Sequence, residues 1–217
     1  MFGPTDKIVI FGRSGCGKTT LQSAITSCYP RLVIIDRMRE HFQGDLITSN
    51  FEEYANFLSK TIPEKRHTFR VVFQFDIEKQ TDSQEFIFEQ VIRLAYKYGD
   101  ISGRGITLSV EEVQFFAPPT YIPHWLKEST LTGRHAGMGV IVSSQRPASV
   151  HKDLVSQASH AFFGSLYEVR DIEYCRAILG DHAYELQTLP QGKFLHYSMG
   201  QIKIIDNGFR ANQSSIS

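Results

Sequence analysis

Residues 8–20 constrain the fold of this chain more than any other stretch. An apolar run, Ile8-Val9-Ile10-Phe11, leads into Gly12-Arg13-Ser14-Gly15-Cys16-Gly17-Lys18-Thr19-Thr20, and a segment of helical period follows to residue 27. The pattern G-x-x-x-x-G-K-[ST] falls on Gly12, Gly17, Lys18 and Thr19, between a strand and a helix as its physics requires. Glycines let the backbone curl until several N–H groups converge on one point, where the helix N-terminus adds its dipole. Such a turn is a polyphosphate cradle. Gly12 through Thr20 are therefore the expected nucleotide contacts, with Lys18 reaching the β- and γ-phosphates and the Thr19 hydroxyl reaching Mg²⁺. Cys16 admits two readings: a thiol made acidic by the helix end, or a small residue tolerated in a tight loop.

The rest of the sequence alternates short β-branched runs with longer segments of helical period, the pattern of a parallel sheet with crossover helices. Strands are expected at 7–11, 31–36, 69–75, 105–111, 139–144, 161–163, 193–197 and 201–205. Helices are expected at 18–27, 51–60, 83–98, 124–134, briefly after Ser149, and at 169–179. The last two strands flank Ser198-Met199-Gly200, which predicts an antiparallel hairpin. One α/β domain over 1–207 is the expectation, with 208–217 fraying. The 23 Lys and Arg balance 23 Asp and Glu, which argues against an all-over cationic surface that holds nucleic acid by bulk charge. No apolar run reaches the roughly 18 residues of a membrane span, and the first residues lack signal-peptide features, so a cytosolic protein is expected. Cys16, Cys28 and Cys175 share no C-x-x-C spacing, so no zinc site or disulfide framework is indicated.

A phosphate cradle alone does not separate kinases, switches and hydrolases; the ends of the neighbouring strands do. The run Gly105-Ile-Thr-Leu-Ser-Val-Glu111-Glu112 delivers two acids to the carboxyl edge of the sheet. Glu111 is placed for the Mg²⁺ shell and Glu112 to polarise an attacking water. The strand at 139–144 ends in Gln145-Arg146-Pro147, where the Gln145 amide can touch a γ-phosphate or the lytic water. Upstream, Thr132-Gly133-Arg134-His135 leaves Arg134 two readings: a guanidinium completing a neighbouring subunit's site, or a cation at a helix C-terminus.

The segment 133–147, ending Ser144-Gln145-Arg146-Pro147, followed by Leu154-Val155-Ser156-Gln157, resembles the HerA/FtsK superfamily of P-loop ATPases, especially its HerA-like branch. Asp171 and Leu189-Pro190-Gln191-Gly192 also fit that pattern, and the resemblance spans roughly residues 7–205. It implies a RecA-like (ASCE) fold in which the 139–144 strand lies between the phosphate-loop strand and the Glu-pair strand. It further implies a homo-oligomeric ring, commonly a hexamer with a pentamer as the alternative. ATP and Mg²⁺ would be held by Lys18, Thr19, Glu111, Glu112 and Gln145 in cis, with Arg134 as an arginine finger in trans, and hydrolysis would drive double-stranded DNA through the ring.

With the phosphate loop beginning at Gly12, the barrel and membrane domains of longer members are not expected here. A bare motor of this size resembles the genome-packaging ATPases of membrane-containing viruses with double-jelly-roll capsids. The expected setting is then host cytoplasm and virion, with a capsid vertex or viral membrane protein as docking partner. The alternatives are a cellular or mobile-element HerA-like translocase and a non-translocating regulatory NTPase. A small-molecule kinase fits the loop but not the Glu pair. Arg37-Met38-Arg39, residues 60–67 and Lys79 are candidate DNA-facing pieces or solvated faces. The aromatic run from Phe115 to Tyr121 is either interface or pore-loop material, or packing beneath the sheet edge.

Overall fold

The computed structural model describes residues 2–39, 42–61, 68–75, 81–102 and 105–207, and the side chains of 81–83 and 100–102 are left aside. In chain order the elements are β1 (Lys7–Phe11), α1 (Lys18–Thr26), β2 (Arg31–Asp36), β3 (Leu46–Thr48), α2 (Phe51–Thr61), β4 (Phe69–Gln74), α3 (Thr81–Ser102), β5 (Thr107–Val110), α4 (His124–Leu131), β6 (Gly139–Ser144), α5 (Lys152–Ser156), β7 (His160–Phe163), α6 (Val169–Leu179), β8 (Lys193–Ser198) and β9 (Gln201–Asp206). The nine strands form one sheet in the order β3-β4-β2-β5-β6-β1-β7-β8-β9. Strands β1 to β7 pair in parallel, while β8 and β9 run antiparallel. The α/β class and the terminal hairpin are as the sequence indicates, and β6 lies between β1 and β5.

Alternation along the strands explains the layering. Val9 and Phe11 of β1, Val33 and Ile35 of β2, and Val71 and Phe73 of β4 join the large core beneath α2, α3, α4 and α6. Ile8 and Ile10 point to the opposite face, where Leu21 and Ile25 of α1 cover them. Both faces are thus buried, as parallel strands require. Local chemistry sets the helix boundaries. Asn50 caps α2 by accepting from the N–H groups of Glu52 and Glu53 at 2.8 and 3.3 Å, and the two acids then sit favourably in the first turn.

Several boundaries differ from expectation. Strand β3 was not anticipated: three residues at the sheet edge leave too little pattern to read. Helix α4 ends at Leu131, so Arg134 lies in the following turn and not on the helix. A Cβ on Gly133 would lie 2.2 Å from the Ser129 carbonyl oxygen, and the Gly133 carbonyl instead accepts from the Met138 N–H at 2.7 Å, closing that turn. The 105–111 strand is shorter than expected and stops at Val110, because Glu112 adopts a left-handed φ of 47°. The aromatic run divides: Phe116 stacks on Phe88 at 4.1 Å between ring centres in the core, whereas Phe115 stays 53% exposed beneath the Arg37 guanidinium at 3.9 Å. The expected tail at 208–217, Lys79 and residues 62–67 lie outside the described residues.

Candidate functional site

Strand register builds the site. Phe11 is level with Ser144 on one side and Phe163 on the other, so Gly12, Gln145 and Gly164 leave the sheet at one height. Val110 is level with Val142, so the next residues, Glu111 and Glu112, emerge at that same edge. A cleft of about 330 Å³ opens there. It is lined by Ser14, Gly15, Gly17, Lys18, Thr19 and Thr20 from the loop, Glu111 and Glu112 from the end of β5, and Gln145 from the end of β6. Nine of the residues expected from sequence are thereby brought together.

The loop itself is tightly held. Gly17 starts α1 with φ 103°, and its carbonyl accepts from the Leu21 N–H at 3.0 Å. The Cys16 N–H donates to the Arg13 carbonyl at 3.3 Å, and the Lys18 ammonium donates to the same oxygen at 3.4 Å. Cys16 is 1% exposed and packs with Ile10, Leu21 and Phe162. Burial pushes its thiol up, which outweighs the nearby Lys18 charge; the small-residue reading prevails and the acidic-thiol reading is corrected. Gly12 and Arg13 do not line the cleft. Gly12 has φ 153°, and a Cβ there would meet Cys16 Sγ at 2.5 Å. The Arg13 side chain turns away, its Nε donating to Ser165 Oγ at 3.1 Å while its guanidinium covers the Tyr167 ring at 4.7 Å.

The Glu112 carboxylate is the hub of the cleft. It accepts from the Gln145 side-chain amide at 3.0 Å, from the Gln145 backbone N–H at 3.3 Å, and from the Gln114 amide at 2.7 Å. Its Oε1 stands 3.9 Å from Lys18 Nζ. A carboxylate so pinned keeps a fixed orientation toward the loop, which is what directing a water requires. Glu111 is 4% exposed, its N–H donating to the Ile35 carbonyl at 3.0 Å. With the Thr19 hydroxyl it supplies hard oxygen donors suited to Mg²⁺. Among the described residues no cluster of three or more His, Cys, Asp or Glu could hold a metal by itself.

The end of β6 is braced from below. Asp171, 1% exposed in the first turn of α6, accepts from Arg146 Nε at 3.1 Å and from the Ala148 N–H at 3.0 Å. The residue after Gln145 is thus tied to a separate helix. Like Gly12, Arg13 and Cys16, Arg134 is an expected site residue that does not line the cleft. It is exposed in the turn before β6, at the amino edge of the sheet, and it depresses the pKa of Lys7 at the start of β1 after the larger effect of burial. A six-residue strand separates it from Gln145, about 20 Å at the rise of a β-strand. Gln114, Ser143 and Gln191 belong to the site without having been assigned to it from sequence. Gln191 lies in the Leu189-Pro190-Gln191-Gly192 run, whose spacing names no contact.

No protein-family model matches the chain, and no curated protein matches it. Among solved structures it is similar to the genome packaging NTPase B204 from Sulfolobus turreted icosahedral virus 2 in complex with ATPγS, at TM-score 0.74 and 20% identity over 94% of this chain and 98% of that one. B204 described as the DNA-packaging ATPase from Sulfolobus Turreted Icosahedral Virus gives TM-score 0.69 and 23% identity over 94% and 98%. VirB4 of Thermoanaerobacter pseudethanolicus gives TM-score 0.71 and 12% identity over 99% and 93%. The two B204 neighbours are a genome packaging NTPase and a DNA-packaging ATPase. What the chain shares with them at these identities is the fold.

Proposed function

We propose that this chain is an ATPase that works as a homo-oligomeric ring, translocates double-stranded DNA and packages a viral genome into a preformed capsid. The observation that carries the hydrolase reading is the Glu112 carboxylate, held by Gln145 and facing Lys18 across 3.9 Å within a phosphate cleft. The packaging reading is supported by a fold shared, over 94% of this chain and 98% of the other, with a viral genome packaging NTPase.

In this reading the loop N–H groups and Lys18 hold the β- and γ-phosphates. Thr19 and Glu111 hold Mg²⁺, which when bound neutralises charge on the phosphate oxygens. Glu112 orients and polarises the lytic water. The Gln145 amide, which spends its donor on Glu112 here, shifts to the γ-phosphate when the cleft is filled and so frees a carboxylate lone pair for the water. Arg134 cannot reach its own cleft from the opposite sheet edge, which favours a finger in the next subunit's site. The docking partner is a capsid vertex or viral membrane protein. No described helix is long and apolar enough to cross a membrane. The residues 1–207 act as one domain.

The test is ATP turnover with and without linear duplex DNA, alongside mass measurement in ATPγS. Turnover stimulated several-fold by DNA, and nucleotide-dependent rings, are expected. Turnover indifferent to DNA with a monomer throughout overturns the motor reading, and a phosphorylated product would indicate a kinase. A gene beside a major capsid protein gene favours packaging over a mobile-element translocase.

A further inference from the structure

The phosphate loop and the Glu112 hub account for a triphosphate, but a nucleotide also has a ribose and a base. The cleft runs along the carboxyl edge of the sheet, and its γ-phosphate end is fixed at β5 and β6 by Glu112 and Gln145. The nucleoside must therefore lie on the other side of β1, toward β7 and β8. Two strand spacings from β1 bring one to β8, about 10 Å away.

That end of the cleft is built by the hairpin. Because β8 runs antiparallel to β7, its beginning returns to the carboxyl edge; because β9 runs antiparallel to β8, its end does too, with Lys193 level with Asp206. Gln191, just before β8, lines the same cleft as Thr20. Asn207, just after β9, lies across the loop: a Cβ on Gly17 would meet its Nδ2 at 2.7 Å, and a Cβ on Gly192 its Oδ1 at 3.2 Å. Three bonds fix this arrangement. The Gly192 N–H donates to the Cys16 carbonyl at 3.0 Å, the Asn207 N–H to the Gly192 carbonyl at 2.7 Å, and Lys193 Nζ to Asp206 Oδ2 at 2.6 Å. Gln191 thus lines the cleft while the Asn207 carboxamide lies against Gly17 and Gly192 beside it, and among the described residues neither side chain has a hydrogen-bond partner. Each carries two donors and an acceptor, a set that matches a ribose diol or a base edge.

The structure assigns the nucleoside end of the cleft to Gln191 and Asn207, whose carboxamides receive the ribose hydroxyls and base edge of a nucleoside triphosphate. This rests on the nucleotide reading above and names residues that the phosphate motif does not cover.

The experiment compares two probes, ATP and inorganic tripolyphosphate, by calorimetry on the full chain and on Gln191→Ala, Asn207→Ala and the double variant. One lost hydrogen bond weakens ATP binding about fivefold, so each single variant should lose about that much and the double about twenty-fold, with tripolyphosphate binding held within about twofold. Gln191→Glu, which keeps the shape but loses the donors, should shift the ratio of ATP to GTP affinity. Gln191 is exposed, so its variants fold whatever Asn207 does to the loop, and thermal midpoints check this. Equal losses for both probes, or no loss for ATP, overturn the assignment while leaving nucleotide binding intact. Wild-type protein that binds neither probe overturns the nucleotide reading itself.

Discussion

The Asp171 brace beneath the end of β6 allows a quantitative test. Asp171→Ala deletes a carboxylate, 1% exposed, that takes one bond from Arg146 Nε and one from the Ala148 N–H. Bonds to a charged group are worth about 1.5–3 kcal/mol each, but the Arg146 side chain is 47% exposed and rehydrates on release, so its share falls to about 1 kcal/mol. The Ala148 N–H loses its acceptor in a half-buried place and contributes about 1.5 kcal/mol more. The variant should therefore lose about 2–3 kcal/mol, and Arg146→Ala about 1 kcal/mol. A double-mutant cycle should give a coupling of about 1 kcal/mol. Urea unfolding without nucleotide measures all three, with the midpoint moving at constant slope. Because Gln145 is adjacent to Arg146, kcat should fall in Asp171→Ala beyond what the lost stability explains at a temperature where the protein stays folded. A loss below about 0.5 kcal/mol, or a coupling near zero, refutes the claim that this ion pair braces the strand end.

Other perturbations probe the site and the fold more briefly. Glu112→Gln should bind ATP yet lower turnover by about 10²–10⁴, the range for losing a positioned base, and retained turnover in a single-turnover assay removes Glu112 from that role. Arg134→Ala should abolish turnover while ATP affinity, measured by calorimetry, stays unchanged; normal turnover returns Arg134 to the reading of a turn cation. Burial, aided by the neighbouring His160 and Lys203, pushes His196 down to about 4, below its unfolded value near 6.5. The unfolded chain then binds the proton more readily, so this contribution to stability is complete above about pH 6.5 and declines as pH falls toward 4. Melting curves across that window should fall less steeply for His196→Phe, which keeps the ring stacked on Phe162 at 4.3 Å, and an unchanged profile counts against the assignment.

Sequence made the phosphate loop, the Glu pair and most strands legible because each is local: a glycine spacing, two adjacent acids, a β-branched run. The position of β6 between β1 and β5 came from family resemblance, since periodicity says nothing of strand order. The three-residue β3 is specified by its pairing with β4 and by little in its own pattern. Gln114 was passed over because it reaches Glu112 only through the left-handed turn that ends β5. Gln191 and Asn207 meet the loop across more than 170 residues of chain, through a hairpin whose sequence names no ligand. Arg134 was read at a helix end, and the close carbonyl of Ser129 against Gly133 placed it in a turn instead.

Cys16 also ties together the permitted substitutions at distant positions. A Cβ on Gly164 would lie 2.9 Å from Cys16 Sγ and 2.8 Å from Phe194 Cε1. Shrinking Cys16 alone removes only one of the two obstacles, so a larger residue at 164 demands a smaller one at both 16 and 194. Among divergent copies of this chain those three positions should vary as a set, and a trace of that set in related sequences would mark the loop's packing even where the phosphate motif is degraded.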